Sequence, residues 1–163
     1  RRFVREAVAA YLKMIGKEGT AAGGAEPWKT DGRKWHLSQK SMSPRGRKRW
    51  GPQTLAELAG RIAKAVPQVK LDWGHKIRVE LGMDGGASLG KLVTNSREGI
   101  KVELRCPRGL LTPTRIERLG LRPQIVPGRG AYDTLRFFVR DISDVDNKRL
   151  TEVLRECRVA LAR

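Results

Sequence analysis

Residues 77–104 read IRVELGMDGGASLGKLVTNSREGIKVEL, and they contain three segments of mixed apolar and polar residues. In the first, 77–81, apolar and charged residues alternate strictly, so they point to opposite sides of an extended chain. Segments 89–95 and 100–104 are expected to extend the sheet, and the four residues SREG between them have the length of a hairpin connection. The pattern predicts neighbouring strands with one face buried and the other in solvent.

Helical patterns lie on both sides of this strand region. Pro52 and the spacing Thr54-x-x-Glu57 predict a helix start with a capping box. A last helix is predicted from Ser143 or Asp144 as N-cap, with apolar residues three or four apart: Leu150, Val153, Leu154, Cys157 and Leu161. Hairpin-length gaps disfavour a doubly wound parallel sheet. The sequence thus predicts an α+β fold, a two-layer sandwich with helices packed on a mostly antiparallel or mixed sheet.

The chain has 163 residues, the length of one ordinary domain with appendages. Apolar residues spaced three and four apart predict an N-terminal connector helix over residues 1–15, and glycines predict a flexible linker over 16–27. Residues 28–50 form a basic arm in which loop chemistry dominates, and 51–163 form the α+β domain. Because the sequence starts at Arg1 without methionine, we expect it to be a piece of a longer protein.

The composition indicates an acidic partner. Lys and Arg number 34 against 17 Asp and Glu, which gives a net charge of +17. No apolar run approaches the roughly 20 residues that a membrane span needs, so no membrane role is predicted. Two cysteines and no secretion signal argue against a disulfide framework. We therefore expect a cytoplasmic, nucleoid-associated protein.

The basic arm is the strongest functional signal in the sequence. Between residues 29 and 49 it carries one acidic residue, Asp31, and eight cations: Lys29, Arg33, Lys34, Lys40, Arg45, Arg47, Lys48 and Arg49. Such a cluster suits a nucleic-acid backbone, because neutralised phosphates release condensed counterions whatever the base sequence. Within the arm, SPRGRK at 43–48 resembles the core of AT-hook peptides, whose arginines flank a glycine that fits a narrow minor groove.

Three tryptophans, Trp28, Trp35 and Trp50, interleave with these cations. They suit either of two roles, stacking on unpaired bases or anchoring the arm to the domain by packing. His36 is expected to satisfy a structural hydrogen bond. Outside the arm, Arg136 and Arg140 share one strand face, and Arg129 lies in a turn; these arginines either extend the positive surface or only solvate it.

The sequence offers little support for catalysis or a small-molecule substrate. Residues 85–91, GGASLGK, match the start of the phosphate-binding pattern G-x-x-x-x-G-K-[ST], but Leu92 replaces the Mg²⁺-binding hydroxyl and a strand rather than a helix is predicted to follow. No nucleotide site is therefore predicted.

Histidines and cysteines lack the short spacings of zinc ligands. Cys157 is expected to be buried, whereas the strand-end position of Cys106 leaves its exposure open. The carboxylates that strands could bring together are Asp72, Asp84, Glu98, Glu103 and Asp133, and solvated charges are the simpler interpretation. We expect no metal and no catalytic residue in this chain.

At PWKTDGRKWHLSQK, residues 27–40, followed by Arg49 and Trp50, the chain resembles a module at the C-terminal end of some members of the UvrA family of excinuclease ABC proteins. The matching positions are Pro27, Trp28, Asp31, Gly32, Lys34, Trp35, His36, Leu37, Lys40, Trp50, Leu55, Leu58 and, more loosely, Arg108 and Gly109. The likeness is clearest over residues 27–120. It implies a DNA-repair setting beside a dimeric, ATP-driven damage-recognition protein, whose ATP and zinc sites would lie in a body absent from this chain. Other excinuclease subunits would then be possible partners.

The residues and the resemblance together predict an accessory DNA-binding module, non-enzymatic by itself and largely independent of base sequence. Two alternatives stay open, a docking domain for an acidic protein surface and an RNA- or ribosome-associated domain.

Overall fold

The computed structural model describes residues 26–38 and 50–162. The strands are β1 (Lys70–Asp72), β2 (Arg78–Gly82), β3 (Ser88–Val93), β4 (Ile100–Pro107), β5 (Leu121–Val126) and β6 (Tyr132–Val139). They form one sheet in the order β1-β2-β3-β4-β6-β5, and every neighbouring pair is antiparallel. The predicted α+β fold is confirmed, and the SREG segment joins β3 to β4 as expected.

Five α-helices lie in the described part of the chain. They are α1 (Pro27–Thr30), α2 (Gly32–Leu37), α3 (Pro52–Ala65), α4 (Pro113–Ile116) and α5 (Asn147–Leu161). The two long helices, α3 and α5, contact each other, and α5 also contacts β3 and β4. Within the described residues, no helix combines the length and apolar character needed to cross a membrane.

The core lies between the long helices and the sheet. Val79, Leu92, Val102 and Phe137 lie side by side across four strands, and all four are fully buried. Burying each such side chain contributes about 1.5–3 kcal/mol. The opposite side of the sheet, here called the open face, carries the charged partners of this alternation: Arg78, Glu80, Lys91, Lys101, Glu103, Arg105 and Arg136. The alternating pattern in the sequence is thus confirmed.

The first part of the basic arm is helical. Residues 27–37 form α1 and α2, so the prediction that loop chemistry dominates there is wrong for this segment. Pro27 occupies the first turn of α1, where a missing N–H costs nothing. The connector helix predicted for residues 1–15 and most of the predicted linker lie outside the described residues.

The start of α3 differs in detail from the prediction. Pro52 lies in its first turn as expected, but the N-cap is Gly51 and no side chain caps the helix. Thr54 lies inside the helix, where its hydroxyl donates to the carbonyl oxygen of Arg140 at 3.4 Å. The proposed capping box is therefore wrong, because its threonine binds a distant chain segment instead.

The start of α5 also lies later than predicted. Its N-cap is Asp146, whose carboxylate accepts from the backbone N–H of Arg149 at 3.1 Å. The predicted caps, Ser143 and Asp144, belong to a separate 3₁₀ turn over Ile142–Asp144. Asp141 caps that turn, so two consecutive helical segments replace the single predicted start.

The glycine-rich segment at 85–91 is a turn and a strand. Ser88–Val93 is β3, which confirms that no helix follows Lys91. Gly90 has a φ of +152°, and a β-carbon there would overlap the carbonyl oxygen of Glu103 on the neighbouring strand. The glycine at position 90 is thus explained by close strand pairing.

Candidate nucleic-acid interface

Residues 26–38 begin the basic arm and are fixed to the domain by hydrogen bonds. The indole N–H of Trp35 donates to the carbonyl oxygen of Lys76 at 2.8 Å. His36 is fully buried, with Nε2 at 2.7 Å from the carbonyl oxygen of His75 and Nδ1 at 2.9 Å from the hydroxyl of Thr94. A carbonyl only accepts, so Nε2 carries a proton and donates to it. The predicted structural role of His36 is confirmed.

Close backbone approach holds the same segment. A β-carbon at Gly32 would overlap the carbonyl oxygen of Trp73, so α2 contacts the β1–β2 loop more closely than a side chain would allow. The rings of His36 and Trp73 lie 6.0 Å apart. Trp50, at the far end of the arm, is 5% exposed and belongs to the core. The anchoring role foreseen for the tryptophans is thus seen for Trp35 and Trp50.

Trp28 and Trp35 form an aromatic pair beside this anchor. Their ring centroids are 5.4 Å apart with planes tilted by 59°, and both side chains are only partly buried. The ammonium of Lys76 lies 5.2 Å from the Trp28 ring centroid, a cation–π distance. The two rings therefore lie at the domain surface, beside the cation of Lys76.

Three of the eight predicted binding cations lie in the described part of the arm. Lys29, Arg33 and Lys34 are all exposed. Lys29 forms an ion pair with Glu26. Arg33 and Lys34 make no ion pair with any residue that the structure describes, so their charges face solvent. The other five, Lys40, Arg45, Arg47, Lys48 and Arg49, lie outside the described residues.

The open face of the sheet carries a row of charged and polar side chains. Strand register places Glu80, Lys91, Glu103, Arg136 and Gln124 next to one another across five strands. On β2, β3, β4 and β6 the open face has five cations and two carboxylates, an excess of positive charge. Sequence analysis assigned Arg136 to this face but did not identify the row, which depends on register between distant strands.

Glu103 is the centre of this row. Its carboxylate lies 3.0 Å from Arg136, 3.4 Å from Lys91 and 3.6 Å from Lys101, and its side chain is only 12% exposed. Burial alone would raise the pKa of the Glu103 carboxyl, but the charges of Lys101, Lys91 and Arg136 lower it by a larger amount. The pKa of Glu103 therefore lies below its ordinary value. Three cations around one carboxylate leave this part of the face positively charged.

A recess opens at one end of the open face. It has a volume of about 370 Å³. Three cations, Lys91, Arg105 and Arg129, line it together with Tyr132 and three carboxylates, Glu80, Glu103 and Asp133. The guanidinium carbon of Arg105 lies 4.0 Å from the centre of the Tyr132 ring. Arg129 is exposed at the tip of the β5–β6 turn. Neither arginine forms an ion pair with a residue in the described part of the chain.

The turn that carries Arg129 is held by a buried carboxylate. Asp133 accepts from the backbone N–H of Gly128 at 3.1 Å and from Arg108 at 3.4 Å. Arg108 in turn donates to the carbonyl oxygen of Gly128 at 2.8 Å. These contacts fix the turn, so Arg129 projects from a rigid support. Arg140, by contrast, pairs with Glu98 at 3.1 Å.

Four of the five carboxylates considered for catalysis pair separately with lysine or arginine side chains. Asp84 binds Lys70 at 2.8 Å, Glu98 binds Arg140, Glu103 binds three cations and Asp133 binds Arg108. Asp72 lies 3.2 Å from His75. Four of the carboxylates are thus explained by local ion pairs, and Asp72 by its contact with the imidazole of His75.

Both cysteines are buried. Burial raises the pKa of the Cys106 thiol and raises that of Cys157 to about 12, so each is a protonated thiol at neutral pH. Cys106, whose exposure the sequence did not decide, is therefore buried. Residues 26–38 and 50–162 contain no group of three or more His, Cys, Asp or Glu side chains placed to hold a metal ion.

Comparison with known proteins finds no match: no family model fits the sequence, no curated protein is similar to it, and no solved structure matches its fold. The resemblance to the UvrA-family module remains a prediction from residues 27–120.

Proposed function

We propose that this chain is an accessory nucleic-acid-binding module, non-enzymatic by itself, whose basic arm contacts the phosphate backbone of DNA. The observation that carries the proposal is the state of the described arm cations. Arg33 and Lys34 are exposed without carboxylate partners among the described residues, on a helix that Trp35 and His36 fix to the domain. A cluster neutralised by the molecule's own carboxylates would argue against this role.

Charge supports duplex DNA as a partner. The chain carries an excess of 17 positive charges, and residues 29–49 contribute seven of them, eight cations against Asp31. Phosphate contacts of this kind position a protein on DNA without reading bases, so binding is expected to be largely independent of sequence. The resemblance to the UvrA-family module supports a DNA-repair setting beside an ATPase, in the cytoplasm and associated with the nucleoid.

A salt titration with a matched pair of variants tests the proposal. R33E/K34E reverses two arm cations, and K64E/K148E reverses two exposed lysines on α3 and α5, with the same change in net charge. On duplex DNA each phosphate contact contributes about −0.9 to the slope of log K against log salt. We expect R33E/K34E to make that slope shallower by about 2 and to weaken binding more than K64E/K148E does.

Fluorescence anisotropy at several salt concentrations measures both quantities. R45E/R47E/K48E/R49E, with four reversed charges, should produce a larger loss of affinity and of slope. Equal effects of R33E/K34E and K64E/K148E would show that net charge alone drives binding. Association with a partner protein that survives nuclease treatment would instead favour a protein-docking domain, and preference for duplex RNA over duplex DNA would favour the RNA-associated alternative.

A further inference from the structure

The recess on the open face lies apart from residues 26–38 of the arm. Its lining carries three cations, Lys91, Arg105 and Arg129, and three carboxylates, Glu80, Glu103 and Asp133. Residues 26–38 of the arm dock on the β1–β2 loop and Thr94, at the end of the sheet where Arg78 pairs with Val93. The recess lies at the other end, where Tyr132 pairs with Pro107. The domain residues that hold residues 26–38 therefore do not line the recess.

The cations of the open face that have no carboxylate partner among the described residues lie at the recess. The three carboxylates at the recess have cation partners: Glu80 pairs with Arg78, Asp133 pairs with Arg108, and Glu103 lies among Lys91, Lys101 and Arg136. Arg105 and Arg129, both exposed, make no ion pair with described residues and face the recess. Two such guanidinium groups at a recess of about 370 Å³ suit a single small anionic group, since ligand sites start at roughly 300 Å³.

The pair of Arg105 and Tyr132 adds a flat stacking surface. The Arg105 guanidinium carbon lies 4.0 Å from the centre of the Tyr132 ring, a cation–π distance, and the Arg105 side chain is exposed to solvent. Guanidinium planes and aromatic rings are the surfaces on which unpaired bases stack. Bases within a duplex already stack on their neighbours and do not present this face. The arrangement therefore fits an unpaired nucleotide better than a duplex.

We propose that the open face binds single-stranded nucleic acid, with a base stacked on the Arg105 guanidinium and an adjacent phosphate bound by Arg129. The rigid β5–β6 turn, held by Asp133, presents Arg129 at the edge of the recess. Ser88 and Thr134 supply hydroxyl groups at the same recess. This inference rests on the proposed function only in taking nucleic acid as the partner, since its residues are different.

The test uses the complete 163-residue chain and fluorescein-labelled oligothymidylate, which has little structure of its own. Stacking contributes about 1–3 kcal/mol per base, so we expect Y132L to weaken binding by about tenfold, whereas Y132F retains it. R105E/R129E should weaken oligothymidylate binding by more than tenfold, and by clearly more than K64E/K148E, which has the same change in net charge. Circular dichroism and thermal melting establish that each variant is folded.

Several results would overturn the inference. They are absence of oligothymidylate binding by the parent chain, equal losses in R105E/R129E and K64E/K148E, or a loss on duplex DNA as large as that on the single strand. Competition by polyglutamate as effective as that by oligothymidylate would also overturn it, because it would show a site for charge alone.

The arm variant separates this site from the proposed arm function. If R33E/K34E binds duplex normally while R105E/R129E loses the single strand, the open-face site stands and the arm proposal fails. If the reverse holds, the arm proposal stands and the open-face site fails.

Discussion

Gly32 shows how one residue sets the position of the basic arm. A β-carbon at this position would overlap the carbonyl oxygen of Trp73, so the G32A variant must move α2 away from the β1–β2 loop. We expect a loss of about 1–3 kcal/mol in the free energy of unfolding, the usual range for overpacking. Urea denaturation followed by tryptophan fluorescence measures it.

Gly60 is the matched control for this prediction. It lies inside α3, and a β-carbon there would contact nothing within 4 Å. G60A should therefore stabilise the protein by about 0.5–1 kcal/mol, because alanine loses less backbone entropy than glycine in a helix. Similar effects of G32A and G60A would contradict the close approach at Trp73.

The role of His36 could be predicted from the sequence, but its partners could not. A histidine beside a tryptophan in a basic segment suggests a structural hydrogen bond. Its two partners, His75 and Thr94, are 39 and 58 residues away in the chain. Only the folded arrangement of the β1–β2 loop and the end of β3 brings them together, and no local pattern encodes that arrangement.

At the scale of elements, the alternating strands were predictable and β5 was not. β5 contains Pro123, and its pairing with β6 shifts register between Leu121 and Gln124. Arg122 has a φ of +52°, a left-handed conformation that interrupts regular alternation. β5 is an edge strand, where a proline is tolerated because one side makes no ladder hydrogen bonds. Such a strand has neither the alternation nor the composition by which strands are recognised.

The charged row across the sheet predicts an acid-sensitive contribution to stability. The pKa of Glu103 is lowered in the folded state by Lys101, Lys91 and Arg136, against the effect of burial. Its ion pairs therefore stabilise the fold above the unfolded-state pKa of about 4.3, and this stabilisation is lost as the pH falls through the folded-state pKa. E103Q should lower the free energy of unfolding by about 0.5–1.5 kcal/mol at neutral pH, because burial of the carboxylate and solvent screening offset part of the attraction to the three cations.

The difference between E103Q and the parent chain should disappear in acid, where both carry a neutral side chain at position 103. Urea denaturation at neutral pH and at a pH below the folded-state pKa measures this difference. Glu152 is exposed on α5, and E152Q serves as the control with little expected effect. A cost of E103Q that stays constant with pH would indicate packing rather than charge as its cause.

At the scale of the whole molecule, the charge excess was readable from composition but its distribution was not. Composition and the arm segment predicted a polyanionic partner. The arrangement of side chains on the open face could not be predicted without the strand register, because Arg105 and Tyr132 come from different strands and Arg129 from a turn. Arg105 and Tyr132 are 27 residues apart in the sequence, and the pairing of β4 with β6 brings them together.

Two separate surfaces on one molecule should act additively on a DNA that offers both of their ligands. We expect R33E/K34E and R105E/R129E each to weaken binding to a junction of duplex and single strand. In the combined variant their free-energy losses should add within about 0.5 kcal/mol, since the sites share no partner. Anisotropy measurements on the parent, both double variants and the combined variant complete the cycle. A combined variant no weaker than either double variant would show that both pairs of cations hold the same phosphates, which would contradict the assignment of duplex to the arm and unpaired strand to the open face.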